Sequence, residues 1–327
     1  MGIELGACSK TLPEPVVQDR STQQRDSDAA IQSCNLQMRY RRKVALGNLS
    51  FCVPRGCICG FLGPNGAGKT TTIRILMGLA KPTAGRAVVL GLHPLRDSYE
   101  LRHRVGYVPD VSHLYRWMSI DEVFRFAASV YRNWDKARCK SVAKLLQLPM
   151  SRTVKQLSRG ELAKLNLVIA MSHRPQLLIL DEPTTGVDPL MRGEFLDAVV
   201  DIARPDGTTV FFSTHILSDV DRIADRIIVI NEGHPIADDS VEALRSRYTK
   251  ASFIFSSPPG SNLELPGALR VERGMREWVA VFEATDTDRL QAVARSVGAR
   301  DVLTRPMTVE DIFVELFNHR VVRQNGV

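Results

Sequence analysis

Residues 63–70 read Gly63-Pro64-Asn65-Gly66-Ala67-Gly68-Lys69-Thr70, the spacing G-x-x-x-x-G-K-T. An apolar run at 57–62 precedes it, and Thr71-Thr72-Ile73-Arg74-Ile75-Leu76-Met77 follows. Strand, glycine loop and helix are the setting in which this pattern binds a polyphosphate. Glycines let the backbone wrap close to phosphate oxygens without side chains in the way. Successive N–H groups and the new helix N-terminus then face the anion. In this reading Gly63, Asn65, Gly66 and Gly68 shape the cradle, and Thr71 belongs to the same binding set. Lys69 reaches the β- and γ-phosphates, and the Thr70 hydroxyl sits on Mg2+. A bare glycine turn is the alternative, and it leaves the full pattern and both flanks unexplained.

Further along, Leu177-Leu178-Ile179-Leu180-Asp181-Glu182-Pro183 is an apolar strand ending in two carboxylates. There Asp181 can hold Mg2+ through water, opposite the γ-phosphate. Glu182 is the candidate base that orients or deprotonates an attacking water. The plainer reading makes both carboxylates turn or cap groups. Upstream, Leu157-Ser158-Arg159-Gly160-Glu161 opens a helix, and Ser158-x-x-Glu161 has the form of a capping box. The same helix end, with the Ser158 hydroxyl and the Gly160 N–H, can also bind phosphate. Gly186-Val187-Asp188 and Ser213-Thr214-His215 follow, the second closing another apolar strand. By itself, a histidine after a strand is more often structural than catalytic.

This order of motifs resembles the ATP-binding cassette (ABC) ATPases over residues 31–240: Walker A, signature, Walker B, D-loop and H-loop. The resemblance implies a RecA-like, mostly parallel sheet with an antiparallel β subdomain and an inserted helical subdomain. It implies ATP and Mg2+ as ligands, with His215 touching the γ-phosphate and Ser158, Gly160 and Asp188 completing a site shared between two subunits. It makes Tyr40 the adenine-stacking aromatic, against the alternative of an edge-strand tyrosine. It places Asp110 where the family's Q-loop carries a glutamine that touches the metal. Asp110 could reach the metal through a water, or simply start a turn after Pro109. The signature also departs from the family, whose serine is followed by Gly-Gly-Gln; here Arg159 and Glu161 occupy two of those positions. The ending Met307-Thr308-Val309-Glu310-Asp311-Ile312-Phe313 is similar to that of bacitracin- and daunorubicin-type exporter ATPases. That implies an ATP-hydrolysing subunit driving a separate transmembrane permease, for export, and pairing with itself or with a similar ATPase.

The elements that must position these residues follow from period and punctuation. Residues 1–30 are polar and aperiodic, which predicts a disordered tail. Strands are expected at 31–40 and 45–53 across a basic turn, then at 85–90, 104–108, 177–181, 208–213 and 226–230, with helices at 69–78 and 216–224. Between 119 and 172 the period becomes 3.6, predicting three helices, at Ser119 onward, at 135–147 and at 159–171. The whole is an α/β fold with a cassette over 31–248 and its helical subdomain over about 111–172. Beyond it, Ser256 to Ser261 reads as a loop or linker, and a small α+β unit completes 249–327.

Composition fits a cytosolic chain. Apolar content is 44% and charged content 24% of 327 residues, ordinary globular values. No apolar run approaches the ~18 residues of a membrane span, and the N-terminus lacks an apolar signal core. The six cysteines have no C-x-x-C spacing, so reduced thiols are expected. A net charge of +7 is compatible with seating on the inner face of a cell membrane. No aromatic-basic motif stands behind it, so no nucleic-acid partner is expected. Two other classes stay open: a non-transport ABC ATPase acting on nucleic acid or ribosomes, and an ATP clamp without turnover. The aromatic-rich segment 115–134 is expected to pack the helical block, with part of it lining a groove for a membrane partner's helix.

Overall fold

The computed structural model describes residues 29–41, 43–260 and 263–324. The expected tail therefore lies outside the described residues, except that Ala29 and Ala30 already belong to the first strand. That strand, β1 (Ala29–Tyr40), pairs antiparallel with β2 (Lys43–Pro54) and with β4 (Ala84–Val89) in a small sheet of order β2-β1-β4.

Six strands form the central sheet, in the order β5-β6-β7-β3-β8-β9. They are β3 (Ile58–Leu62), β5 (Val105–Val108), β6 (Leu177–Asp181), β7 (Thr209–Thr214), β8 (Arg226–Asn231) and β9 (His234–Ser240). The first five in that order run parallel; β9 closes the edge antiparallel to β8. The central strands are apolar throughout because both faces are covered. On β6, Leu178 and Leu180 enter one buried core while Leu177 and Ile179 enter another. The second core includes helix α1 (Lys69–Leu76) through Ile73, Ile75 and Leu76, and stacks Phe211 on Phe51 with ring centroids 6.0 Å apart.

A short helix, α2 (Ser98–Arg104), leads into β5. The 3.6-period block is three helices: α3 (Ile120–Val130), α4 (Lys136–Leu145) and α5 (Arg159–Met171). The starts at Ser119 and Ser158 are capped as the sequence suggests, and Asp135, read as the first residue of its helix, is its N-cap. Ser119 and Glu122 form a reciprocal capping box, Asp135 accepts from the Arg138 N–H, and Ser158 and Glu161 form a second box. Helix α6 (Pro189–Ala203), N-capped by Asp188, was not anticipated. Helices α7 (Leu217–Ile223) and α8 (Val241–Ser246) follow β7 and β9.

The C-terminal sheet has the order β11-β12-β10-β13 and is antiparallel throughout. Its strands are β10 (Tyr248–Ile254), β11 (Ala268–Arg273), β12 (Glu277–Glu283) and β13 (Asp301–Arg305). Because β10 is already a central strand of this sheet, the Pro258-Pro259-Gly260 stretch is a loop inside it rather than a connection to it. Helix α9 (Thr287–Ser296) covers one face through Leu290 and Ala294.

The last helix, α10 (Val309–Gln324), seats on the cassette. Met307, Val309 and Ile312 are buried in the core that contains Val220, Ile223, Val241 and Leu244. The Val309 N–H donates to Asp221 Oδ1 at 3.3 Å, and Arg245 holds the same carboxylate oxygen at 2.7 Å. On its other side the helix is tied to the C-terminal sheet by Lys250–Asp311 and Arg270–Glu315, both at 2.7 Å. Ile312 is only 1% exposed. Ile312→Ala is therefore expected to lower stability by about 2–5 kcal/mol and to shift the cassette's own transition in chemical denaturation. An unshifted cassette transition would show that α10 stabilises only the C-terminal sheet.

Candidate nucleotide site

The site forms at the carboxyl end of the parallel strands, where β3, β6 and β7 release their loops. Leu62 pairs with Thr214, and Asp181 with Ser213, so the three strands end at one level. Gly63 follows directly; a Cβ there would come within 2.4 Å of the Ile230 carbonyl oxygen. At Gly68 φ is +109°, and a Cβ would meet Leu46 Cδ2 at 2.6 Å and the Ala45 oxygen at 2.8 Å. Both positions thus exclude any side chain.

Lys69 opens α1 and is 95% buried, being 5% exposed. Its ammonium donates to the Gly63 oxygen at 2.7 Å and the Pro64 oxygen at 3.2 Å, and it pairs with Glu182 Oε1 at 3.0 Å. Thr70 donates to Asp181 Oδ1 at 3.2 Å. Ser213 joins the two carboxylate residues: its hydroxyl donates to Asp181 Oδ1 at 2.8 Å and accepts the Glu182 N–H at 3.0 Å.

Glu182 has φ of +45°, an unusual backbone for a residue with a side chain. The turn brings its second carboxylate oxygen to the Thr185 hydroxyl at 2.9 Å and to His215 Nδ1 at 2.9 Å. Burial acts to raise the Glu182 carboxyl, but the Lys69 ammonium, with Thr185 and His215, outweighs it and holds the group below its ordinary value. Asp181 goes the other way. Its burial raises it, against the Ser213 and Thr70 hydrogen bonds, and the Asp110 and Glu182 charges push further upward.

A cavity of about 360 Å3 opens onto these groups. Asn65, Gly66, Gly68, Lys69, Thr70 and Thr71 line one part of it. Tyr40, Lys43 and Ala45, from the β1–β2 hairpin, line another, and Asp110 and Glu182 complete it. Tyr40 is 45% exposed, so its ring is free to meet a flat ligand. Sequence reasoning overlooked Lys43, read only as part of a basic turn, and Ser213, read only as part of the stretch before His215. The order of β6 and β7 in the sheet is what gives Ser213 its role, and no local pattern reveals that order.

Ser158, Gly160 and Asp188 do not line this cavity. Ser158 caps α5, accepting from the Glu161 N–H at 3.2 Å. Asp188 caps α6, accepting from the Met191 N–H at 3.0 Å. Gly160 is set against that second helix start; a Cβ there would touch Val187 and Met191. A second cavity, about 270 Å3, runs between the loop after β5, the start of α5 and the loop after β6, lined among others by Asp110, Arg159, Asn166 and Glu182.

A larger groove, about 900 Å3, lies elsewhere, between α3 and α4. Phe124 and Trp134 line it with Arg125, Lys136, Lys140 and Lys144. None of the phosphate-loop residues reaches it, so volume alone does not mark the chemistry. Tyr115, Trp117 and Phe126 of the same aromatic segment are at least half exposed and gather at ring distances of 5.9 and 6.2 Å.

The ABC transporter family model matches residues 46–185. The daunorubicin resistance ATP-binding protein DrrA2 of Streptomyces coeruleorubidus is 32% identical over 317 residues, covering 89% of this chain and 96% of that one. The chain is an ABC transporter ATP-binding protein. The Nod factor export ATP-binding protein I of Sinorhizobium fredii is 33% identical, over 91% of this chain and 89% of its own. A solved ATP-binding subunit of an ABC transporter superposes with a TM-score of 0.60 at 27% identity, covering 66% of this chain and 92% of that chain.

The chain is accordingly an ABC ATPase subunit with the cassette fold. ABC cassettes dimerise and pair with membrane subunits. Among the described residues, no helix of this cassette is long and apolar enough to cross a membrane. Nor does any group of three His, Cys, Asp or Glu form a metal site by itself. What the site does offer is the hard oxygen pair of Thr70 and Asp181, which suits Mg2+ when phosphate and water supply the remaining ligands.

In this cassette Ser213→Ala strands the Glu182 N–H and frees Asp181 to move. It is expected to lower ATP turnover about tenfold or more, with a smaller change in ATP affinity, and to reduce stability by about 1–3 kcal/mol. Steady-state kinetics and equilibrium nucleotide binding check both. Wild-type turnover would leave Ser213 without a part in positioning the carboxylates.

Proposed function

We propose that this cassette binds ATP with Mg2+ in the 360 Å3 cavity and hydrolyses it in a head-to-tail pair of cassettes, driving export through a separate transmembrane permease. One observation carries the reading: the buried Lys69 ammonium is already shared between two loop carbonyls and Glu182. An entering γ-phosphate competes with Glu182 for that ammonium. The carboxylate it releases is then held by His215 and Thr185, where it can accept a proton from an attacking water. Tyr40 stacks the base, the Gly63–Thr71 loop and α1 hold the phosphates, and His215 keeps Glu182 aimed at the γ-phosphate. Thr70 and Asp181 would hold Mg2+, with Asp110 nearby; the ion, when bound, neutralises charge on the phosphate oxygens.

Ser158, Gly160 and Asp188 lie outside the cavity, which supports their acting on a partner's nucleotide. The Ser158 capping box serves the helix while the cassettes are apart. The names of the two relatives, one for drug resistance and one for export, support the outward direction. Exposed Tyr115, Trp117 and Phe126 offer the permease an aromatic surface, and the cassette works as a peripheral protein on the cytoplasmic membrane face. An ATP clamp without turnover is disfavoured by the Glu182–His215 contact. Residues 249–327 act as an accessory unit that braces the cassette.

The test mixes two variants. Ser158→Arg and Glu182→Gln chains are each expected to be inactive. In a mixed pair, one site combines both lesions while the other is intact, so partial activity should return. Full activity of Ser158→Arg alone would leave Ser158 as a helix cap only.

A further inference from the structure

Asp110 stands between two cavities. It lines the nucleotide cavity with Lys69, Thr70 and Glu182, and it lines the 270 Å3 cavity with Arg159, Asn166 and Glu182. Three neighbouring carboxylates each have a cation or a hydroxyl. Glu182 has Lys69 and His215, Asp181 has Thr70 and Ser213, and Glu161 has Arg152. The Asp110 side chain has no hydrogen bond or ion pair among the described residues, and neither has that of Arg159. Arg159 rests over Gly186, where a Cβ would lie 2.2 Å from its Nη1, and its helix begins at that residue.

A carboxylate beside a triphosphate repels it to the extent that Mg2+ does not offset its charge. The opposite charge stands on the same small cavity, on the first residue of α5. We propose that Arg159 is the counter-ion of Asp110. When nucleotide enters, α5 moves toward the loop after β5, the second cavity narrows, and the guanidinium pairs with the Asp110 carboxylate. The pair removes a like charge from the phosphates and fixes the loop against the signature helix. Arg159 is in this sense a positioning residue, acting on ATP through Asp110. The inference rests on the ATPase reading above.

The experiment is a double-mutant cycle on the full chain: wild type, Arg159→Gln, Asp110→Asn and the double variant. ATP affinity is measured with and without Mg2+, and kcat and KM separately. Arg159 and Asp110 are both exposed, so the variants are expected to fold, and thermal denaturation checks this. Arg159→Gln is expected to weaken ATP binding about fivefold. The double variant should return to within about twofold of Asp110→Asn, because there is no longer a charge to compensate. Arg159→Lys should keep most of the wild-type affinity. Losses that multiply in the double variant would overturn the pairing, and would mean that Arg159 meets the phosphate itself. An Arg159→Gln protein with wild-type affinity would overturn it too. If the wild type binds ATP without turnover, the hydrolytic reading fails, while the affinity cycle still decides the pair.

Discussion

The ion pair between Lys69 and Glu182 organises this cassette. A buried ammonium is costly unless it is paired and hydrogen-bonded. Here two loop carbonyls and one carboxylate meet it, at 2.7, 3.2 and 3.0 Å. That arrangement requires the loop after β3 and the turn after β6 to face each other. The sheet supplies this by placing only β7 between them, with Asp181 and Ser213 in register. It also requires Glu182 to take a backbone with φ of +45°, and a residue held so is commonly part of a working site. A second cation, offered by any approaching ligand or partner, meets a carboxylate already held by Lys69, Thr185 and His215. An anion, by contrast, has a ready competitor to displace.

The same centre concentrates groups that do not favour the empty folded state. Asp181 is 1% exposed and its carboxyl is pushed upward by burial. Asp110 adds charge without a partner. The surrounding structure compensates through packing: central strands buried on both faces, and a C-terminal helix that joins the same core through Val309 and Ile312. Asp221 links that helix to α7, and α7 begins two residues after His215. The C-terminal unit is thus mechanically continuous with the segment that holds Glu182, although it lies in a separate sheet.

Much of this was legible in the sequence because the signals were local. The glycine loop, the strand ending in Asp181-Glu182 and the capping boxes at Ser119 and Ser158 each announce themselves within a few residues, and the helix at 159–171 has the bounds read for it. Helix α6 was overlooked although its signals were present: Asp188 caps it, Pro189 follows, and Phe195, Leu196, Val199 and Ile202 form its buried face. The reading of Asp188 as a ligand residue hid its second role. Strand β9 was hidden for a different reason, since an edge strand with Pro235 and two aspartates carries little apolar pattern. Ser213 bridging the carboxylates, Lys43 at the cavity and the shared wall of Asp110 and Arg159 depend on which strands and loops become neighbours. That information is non-local, and no window of sequence contains it.

In the proposed cycle, Glu182 and the γ-phosphate compete for one ammonium. The direct measurement is ATP affinity of Glu182→Gln against the wild type, each in the Lys69 and Lys69→Ala backgrounds. With Lys69 present, Glu182→Gln is expected to bind ATP severalfold more tightly while losing turnover, and the gain should vanish when Lys69 is replaced. An unchanged or weaker affinity, or a gain that persists without Lys69, would contradict the account.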